Sequence, residues 1–159
     1  MVGMLTWLTN VVFVDIRPLR ACVKSLAMVA GSIVALPFRD DSVVSLSCLH
    51  VAEHVGLGRY GDPLNPAGTT DAARELSRIL APGGDLYFSV PVGRSRVEFN
   101  AHRIFTPAQV IDMFPELELQ SFSAEDDSGA YIEDADPAAF GDASYACGMF
   151  WLRKPERWS

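Results

Sequence analysis

The sequence predicts an α/β fold built on a mainly parallel sheet. Strand-like runs alternate with helical periodicity along the chain, which is the pattern of strand–helix–strand units. The first run, Val11-Val12-Phe13-Val14, is continuous, β-branched and aromatic, as strands covered on both faces are. The last two strand candidates, residues 117–122 and 146–152, have a loop but no helix between them, which predicts one antiparallel strand near the C-terminus.

Each element carries its own signal. The first strand ends at Asp15. Residues 42–51 (SVVSLSCLHV) form a second strand, and residues 85–92 (DLYFSVPV) a third, closed by Pro91. Residues 70–81 place Ala72, Ala73, Leu76, Ile79 and Leu80 on one face at helical spacing, and Pro82-Gly83-Gly84 stops that helix and turns the chain. Thr106 as N-cap, Pro107 at the first helical position and Gln109 three residues past the cap make a capping box, with Phe105 and Val110 as its hydrophobic staple. Pro115 ends this helix near Phe114. Residues 123–144 read as a long, acidic, solvated and mobile surface loop.

Composition narrows the function classes. The chain has 159 residues, 49% of them hydrophobic and 21% charged, which predicts one folded domain over residues 1–159 and excludes general disorder. Three widely spaced cysteines make no disulfide framework, so a reducing, cytoplasmic setting is expected. A net charge of −7 excludes a general nucleic-acid binder. The charge is uneven, since residues 104–152 hold ten acidic residues and no Lys or Arg. The apolar start lacks a basic n-region, and Asn10 and Asp15 bound it well short of a membrane span. A chain that opens on a buried strand also predicts sequence lost upstream.

Four constellations carry chemical content. Asp15 stands at the carboxyl end of a strand, where ligands of open α/β sheets bind, and a carboxylate there can accept from both hydroxyls of a ribose or cap a helix. Gly56-Leu57-Gly58-Arg59-Tyr60-Gly61 matches the dinucleotide pattern literally, but Pro63 and Pro66 follow and no helix opens until about Thr70, so a rigid loop is the better reading. His50-Val51-Ala52-Glu53-His54 has the order of an inverted zinc-protease motif, but His50 falls at a strand end and no third ligand is evident, so no metal is assigned. Arg94, Arg96, Asn100, His102 and Arg103 follow a strand end and either bind an anionic group or pair with the acidic loop.

Leu36-Pro37-Phe38-Arg39-Asp40-Asp41-Ser42, followed by a strand and His50-Val51-Ala52-Glu53-His54, resembles the LPF-x-D-x-S…H-V-x-E-H signature of class I S-adenosylmethionine-dependent methyltransferases. Arg78-Ile79-Leu80-Ala81-Pro82-Gly83-Gly84-Asp85-Leu86 is similar to their helix–strand junction. The stretch from Gly56 to Pro66 and the run Phe99-Asn100-Ala101-His102-Arg103 resemble a narrower methyltransferase-like family, catalogued as domain of unknown function 268. The resemblance spans about residues 11–154.

The resemblance implies a Rossmann-like seven-stranded sheet with helices on both faces, here lacking the first strand and its glycine-rich loop. It implies S-adenosylmethionine as cofactor. Asp15, with Ile16 beside it, would hold the ribose, Ala35, Leu36, Pro37 and Phe38 would lie along the adenine, and Leu49 and His50 would pass near the methionine part. Glu53, His54, Arg59, Tyr60, Asn100, His102 and Arg103 would line the acceptor side. His50, His54 or His102 could take a proton from a hydroxyl acceptor, since histidine titrates near neutral pH. The missing loop and Ser32 after Gly31, where relatives carry an acid, weaken the implied cofactor site. The implied partner is a small-molecule acceptor or glycan precursor, with a second copy of the chain joined through an exposed sheet edge. The alternative is a fold remnant or interaction module without activity.

Overall fold

The structure, a computed structural model, describes residues 2–17, 22–98 and 101–156. These residues group into two compact units, Met1–Pro37 and Phe38–Ser159. No helix among the described residues is long and apolar enough to cross a membrane.

The first unit holds α1 (Val2–Leu5), β1 (Val11–Asp15) and β2 (Leu26–Ala30). The two strands pair in parallel, from Val11 opposite Leu26 to Asp15 opposite Ala30. β1 forms where the apolar run predicts it, but its expected burial on both faces is corrected. Val12 is 53% exposed, because a two-stranded sheet has no layer of its own to cover both sides. β2 is not evident in the sequence, since Leu-Ala-Met-Val-Ala carries little β propensity.

The second unit is a five-stranded sheet with helices. It comprises β3 (Val43–Leu49), α2 (Gly68–Ile79), β4 (Leu80–Val92), β5 (Arg96–Glu98), β6 (His102–Ile104), α3 (Pro107–Asp112), β7 (Glu118–Glu125), β8 (Tyr131–Ile132) and β9 (Ala146–Arg153). Its strand order is β3-β4-β9-β7-β8. β3 and β4 run parallel, while β9 is antiparallel to both β4 and β7. The expected reversed strand near the C-terminus is therefore β9. β5 and β6 form a separate antiparallel hairpin.

Pro82-Gly83-Gly84 does not separate helix from strand as expected. The strand starts at Leu80 and bulges through these residues, so the register steps from Val43 opposite Leu80 to Ser45 opposite Asp85. Gly83 takes φ +74° there and donates its N–H to the Lys154 carbonyl at 2.8 Å. α2 ends at Ile79 because Leu80 is already extended.

The helices follow their sequence signals. On α2, Ala72, Ala73, Leu76 and Ile79 are buried. At α3, Thr106 Oγ1 accepts the Gln109 N–H at 3.2 Å and Gln109 Oε1 accepts the Thr106 N–H at 2.9 Å. The core lies between these helices and β4, β9 and β7. Phe88 meets Phe114 edge-on at 5.0 Å, and Phe122 packs on Phe150 at 4.8 Å.

The acidic segment is largely exposed, as its charge predicts, but it carries local structure. A 3₁₀ turn, Pro137–Phe140, buries Phe140 against Phe122. Asp126, Asp127 and Asp136 accept backbone N–H groups, so several of these acids fold the segment.

Candidate functional site

The site grows from the carboxyl end of β3. His50 N–H donates to the Ser89 carbonyl at 2.9 Å, the last rung onto β4. His50 then takes φ +54°, a left-handed turn that leads into the 3₁₀ turn Ala52–His54. Its two histidines therefore do not share one α-helical face. Among the described residues, no group of three or more His, Cys, Asp or Glu is arranged to hold a metal ion.

Glu53 is the centre of the cluster and is 2% exposed. Its Oε1 lies 3.3 Å from His50 Nδ1 and 3.7 Å from His54 Nε2. Its Oε2 is buried and has no hydrogen-bond partner among the described residues. His54 Nδ1 donates to the Ala101 carbonyl at 2.8 Å, since a carbonyl only accepts. The His54 ring stands edge-on to Tyr60 at 5.8 Å and to His102 at 6.1 Å. His102 lies 5.3 Å from the Tyr145 ring, and its Nε2 is buried with no hydrogen-bond partner among the described residues. On the other side, His50 Nε2 lies 3.2 Å from Cys147 Sγ.

The cluster drives its histidines apart in proton affinity. The Cys147 sulfur and then the Glu53 carboxylate raise His50 well above its ordinary value. Burial, and then the neighbouring charge of His54, lower His102. His50 thus keeps a proton where His102 gives one up, the separation that acid and base roles require.

The glycine loop is held from within. Gly56, Gly58 and Gly61 have φ of +78°, +72° and +84°. Asp62 Oδ2 accepts from Gly56 N–H at 2.7 Å and Gly58 N–H at 3.4 Å, and Oδ1 from Tyr60 N–H at 3.2 Å. A carboxylate of the chain itself fills these donors, and the following helix opens at Gly68. A Cβ on Gly56 would lie 2.1 Å from the Asn65 carbonyl oxygen, so the turn admits only glycine.

The basic run divides. Arg103, 8% exposed, donates to the carbonyls of Val55 and Asn65 and to Thr69 Oγ1, which locks the glycine loop to β6. Arg59 donates to the Ala101 carbonyl at 3.0 Å and stands over the Tyr60 ring. Arg96 pairs with Glu98 at 2.6 Å within its hairpin and donates to the Ser144 carbonyl.

The remaining expected residues divide between the units. In the first, Asp15 Oδ1 accepts the Arg17 N–H at 2.7 Å, Ile16 is exposed, and Ala35 N–H closes a turn onto the Ser32 carbonyl. Leu36 is buried and Pro37 exposed. In the second, Phe38 and Leu49 are half-buried, and the Phe38 carbonyl accepts from Arg78. Asn100 lies outside the described residues. Sequence reasoning missed Cys147 and Tyr145. The strand that holds Cys147 and follows Tyr145 is visible as an apolar run, but nothing local says that Cys147 stands opposite Pro91, within reach of His50.

Comparisons with known proteins agree with this architecture. The [4+2]-cyclase SpnF matches with a TM-score of 0.60 at 15% identity, over 84% of this chain and 58% of that one. N-methyltransferase NodS from Bradyrhizobium japonicum matches with a TM-score of 0.59 at 16% identity, over 91% of this chain and 73% of that one. A SAM-dependent methyltransferase from Methanosarcina mazei matches with a TM-score of 0.53 at 13% identity, over 86% of this chain and 71% of that one. The chain thus spans 58% of the length of SpnF. Comparison with curated proteins gives no match. At these identities the likeness establishes the fold, which is class I methyltransferase-like. The family described as "Caenorhabditis protein of unknown function, DUF268" matches residues 38–154, from the loop before β3 to the end of β9. The chain belongs to that family.

Proposed function

We propose that this protein is an S-adenosylmethionine-dependent methyltransferase acting on a small-molecule hydroxyl acceptor. The observation that carries the reading is the Glu53-centred histidine cluster at the carboxyl end of β3, on a fold shared with NodS, which has also been solved in complex with S-adenosyl-l-homocysteine. In open α/β sheets that end of the strands is where ligands bind. When bound, the cofactor supplies a methyl group already activated as a sulfonium, so the protein's share is positioning and proton handling.

Each unit by itself carries side chains of the kind that such a cofactor asks for. In the first unit, Asp15 is a carboxylate at a strand's carboxyl end, oriented by the Arg17 N–H, as an acceptor for ribose hydroxyls must be. Ile16, Ala35, Leu36 and Pro37 would supply apolar surface for the adenine. In the second unit, taken by itself, Phe38 offers half-buried aromatic surface, and Leu49 and His50 stand at the end of β3, where a protonated imidazole suits a carboxylate such as that of a methionine group. His102, kept neutral by burial, would take the acceptor's proton, with His54 beside it and Glu53 next to His54. Tyr60 and Arg59 would face the acceptor, and Arg103 would act through the loop that it holds.

Titration calorimetry and thermal shift with S-adenosylmethionine and S-adenosylhomocysteine test the reading. Saturable heat and a raised melting temperature are expected. No heat and no shift at millimolar ligand would exclude it and select the alternative, a fold kept without methyl transfer.

A further inference from the structure

We propose that Cys147 is a nucleophilic thiol that exchanges with small disulfides, with His50 as its proton partner and Glu53 as the residue that positions His50. The three side chains stand in the order nucleophile, base, orienter. Cys147 Sγ is 3.2 Å from His50 Nε2, and His50 Nδ1 is 3.3 Å from Glu53 Oε1. The relation is tertiary, since His50 and Cys147 are 97 residues apart in the chain. β3 delivers the imidazole past β4, and β9 brings the sulfur to the same end of the sheet because it runs the other way.

The orienter makes the pair directional. Glu53 is 2% exposed, and the charged side chains that it meets among the described residues are the two imidazoles of His50 and His54. A carboxylate on the Nδ1 side holds that nitrogen protonated and leaves Nε2 to receive the thiol proton. The resulting imidazolium lies between a carboxylate and a thiolate, and the raised proton affinity of His50, owed first to the sulfur and then to Glu53, agrees with that arrangement. The other groups near the sulfur are Glu125, opposite it on β7, and Asp127, whose carboxylate holds the N–H groups of Ser144 and Tyr145 just before β9. The remaining cysteines differ. Cys48 is buried, which with the Glu53 charge pushes its pKa up to about 12, and Cys22 is exposed in the first unit.

Disulfide exchange asks for a thiolate and for a proton donor to the departing sulfur, and this pair supplies both. The Cys147 thiolate attacks one sulfur of the incoming disulfide. A new S–S bond forms as the old one breaks, and the departing thiolate takes the proton from His50 Nε2. Cys147 is oxidised to a mixed disulfide, the leaving half is reduced to a thiol, and no further oxidant is needed.

The test is the rate of modification of the full chain by glutathione disulfide and by 2,2′-dithiodipyridine, with peptide mapping that separates Cys22, Cys48 and Cys147. With a proton partner 3.2 Å from its sulfur, Cys147 is expected to react about tenfold faster than Cys22 at about pH 6. His50→Gln is expected to bring the Cys147 rate down to that of Cys22, and Glu53→Gln to an intermediate value. Equal rates for Cys147 and Cys22 across about pH 5 to 9, or a Cys147 rate unchanged in His50→Gln, would overturn the proposal. If a variant fails to fold, the comparison of Cys147 with Cys22 in the unaltered protein decides alone. No methyl donor takes part, so the result stands apart from the methyltransferase reading.

Discussion

Lys154 Nζ lies 2.7 Å from Asp41 Oδ1, across 113 residues of chain. The same ammonium donates to the Ser77 and Leu80 carbonyls, each at 2.9 Å, so it closes the C-terminus of α2 where orphan carbonyls gather. The two residues lie near the ends of the family match, at 38–154, and hold the loop before β3 against the end of β9.

Lys154→Met is expected to destabilise the protein by about 3 kcal/mol, because it leaves a carboxylate and two carbonyls without their donor. Asp41 is 28% exposed, so water recovers part of its loss and the effect stays at the lower end for a buried pair. Urea unfolding measures it, and an unchanged midpoint would show that the ammonium is dispensable.

Gly148→Ala tests the packing of β9 on β4. A Cβ at this position would lie 2.7 Å from Val92 Cγ1 and 2.9 Å from Phe150 Cε2, both in the core. Overpacking of this kind costs about 1–3 kcal/mol, offset by less than about 1 kcal/mol from the stiffer unfolded chain. A lowered melting temperature is expected, with partial recovery in the double variant Gly148→Ala, Val92→Ala.

Asp62→Asn probes the glycine loop. Burial works against the Asp62 charge, but the N–H groups of Tyr60, Gly56 and Gly58 outweigh it and lower its pKa below the ordinary 3.8. A carboxyl whose pKa is lowered in the fold stabilises the fold above its unfolded value and loses that contribution as pH falls through its folded value. Faster amide exchange at Gly56 and Gly58 is therefore expected in the variant at neutral pH, and in the unaltered protein only below about pH 3.8. Equal exchange in both at neutral pH would mean that the loop holds its shape without this charge.

The reach of the sequence follows the range of the forces that shape each part. The Thr106–Gln109 capping box is contained within four residues, so its pattern suffices to place it. The reversed direction of β9 was legible because the segment between it and β7 carries a loop pattern and no helical periodicity for a crossover. β2 was not, because pairing with β1 outweighs its weak propensity. The β5–β6 hairpin was hidden by its charges, since Arg96 and Glu98 read as a basic run and an acid when they are a pair. Within the site, the motif named His50, Glu53 and His54. The near-complete burial of Glu53 and the contact of His50 with Cys147 depend on residues almost a hundred positions away, and no local signal carries them.

Asp15→Ala addresses the methyltransferase reading directly. The loss of a charge-assisted hydrogen bond to a ribose costs roughly 1–3 kcal/mol, or about five- to 150-fold in affinity. Calorimetry with S-adenosylhomocysteine measures it against the unaltered protein. An unchanged affinity would show that Asp15 only orders the Arg17 turn.

His102 and His50 are expected to move stability in opposite pH windows. The folded pKa of His102 is lowered by burial and by His54, so the fold favours its neutral form. Its contribution is whole above the unfolded value of about 6.5 and is lost as pH falls through the lower folded value. His50 is raised by Cys147 and Glu53, so its contribution is whole below about 6.5 and is lost as pH rises through its folded value. The urea midpoint of the protein is therefore expected to decline on both sides. His102→Asn should flatten the acid side alone, and His50→Gln the alkaline side alone. An acid limb that persists in His102→Asn would assign that limb to the carboxylates, Asp85 with its Arg153 and Trp151 partners first among them.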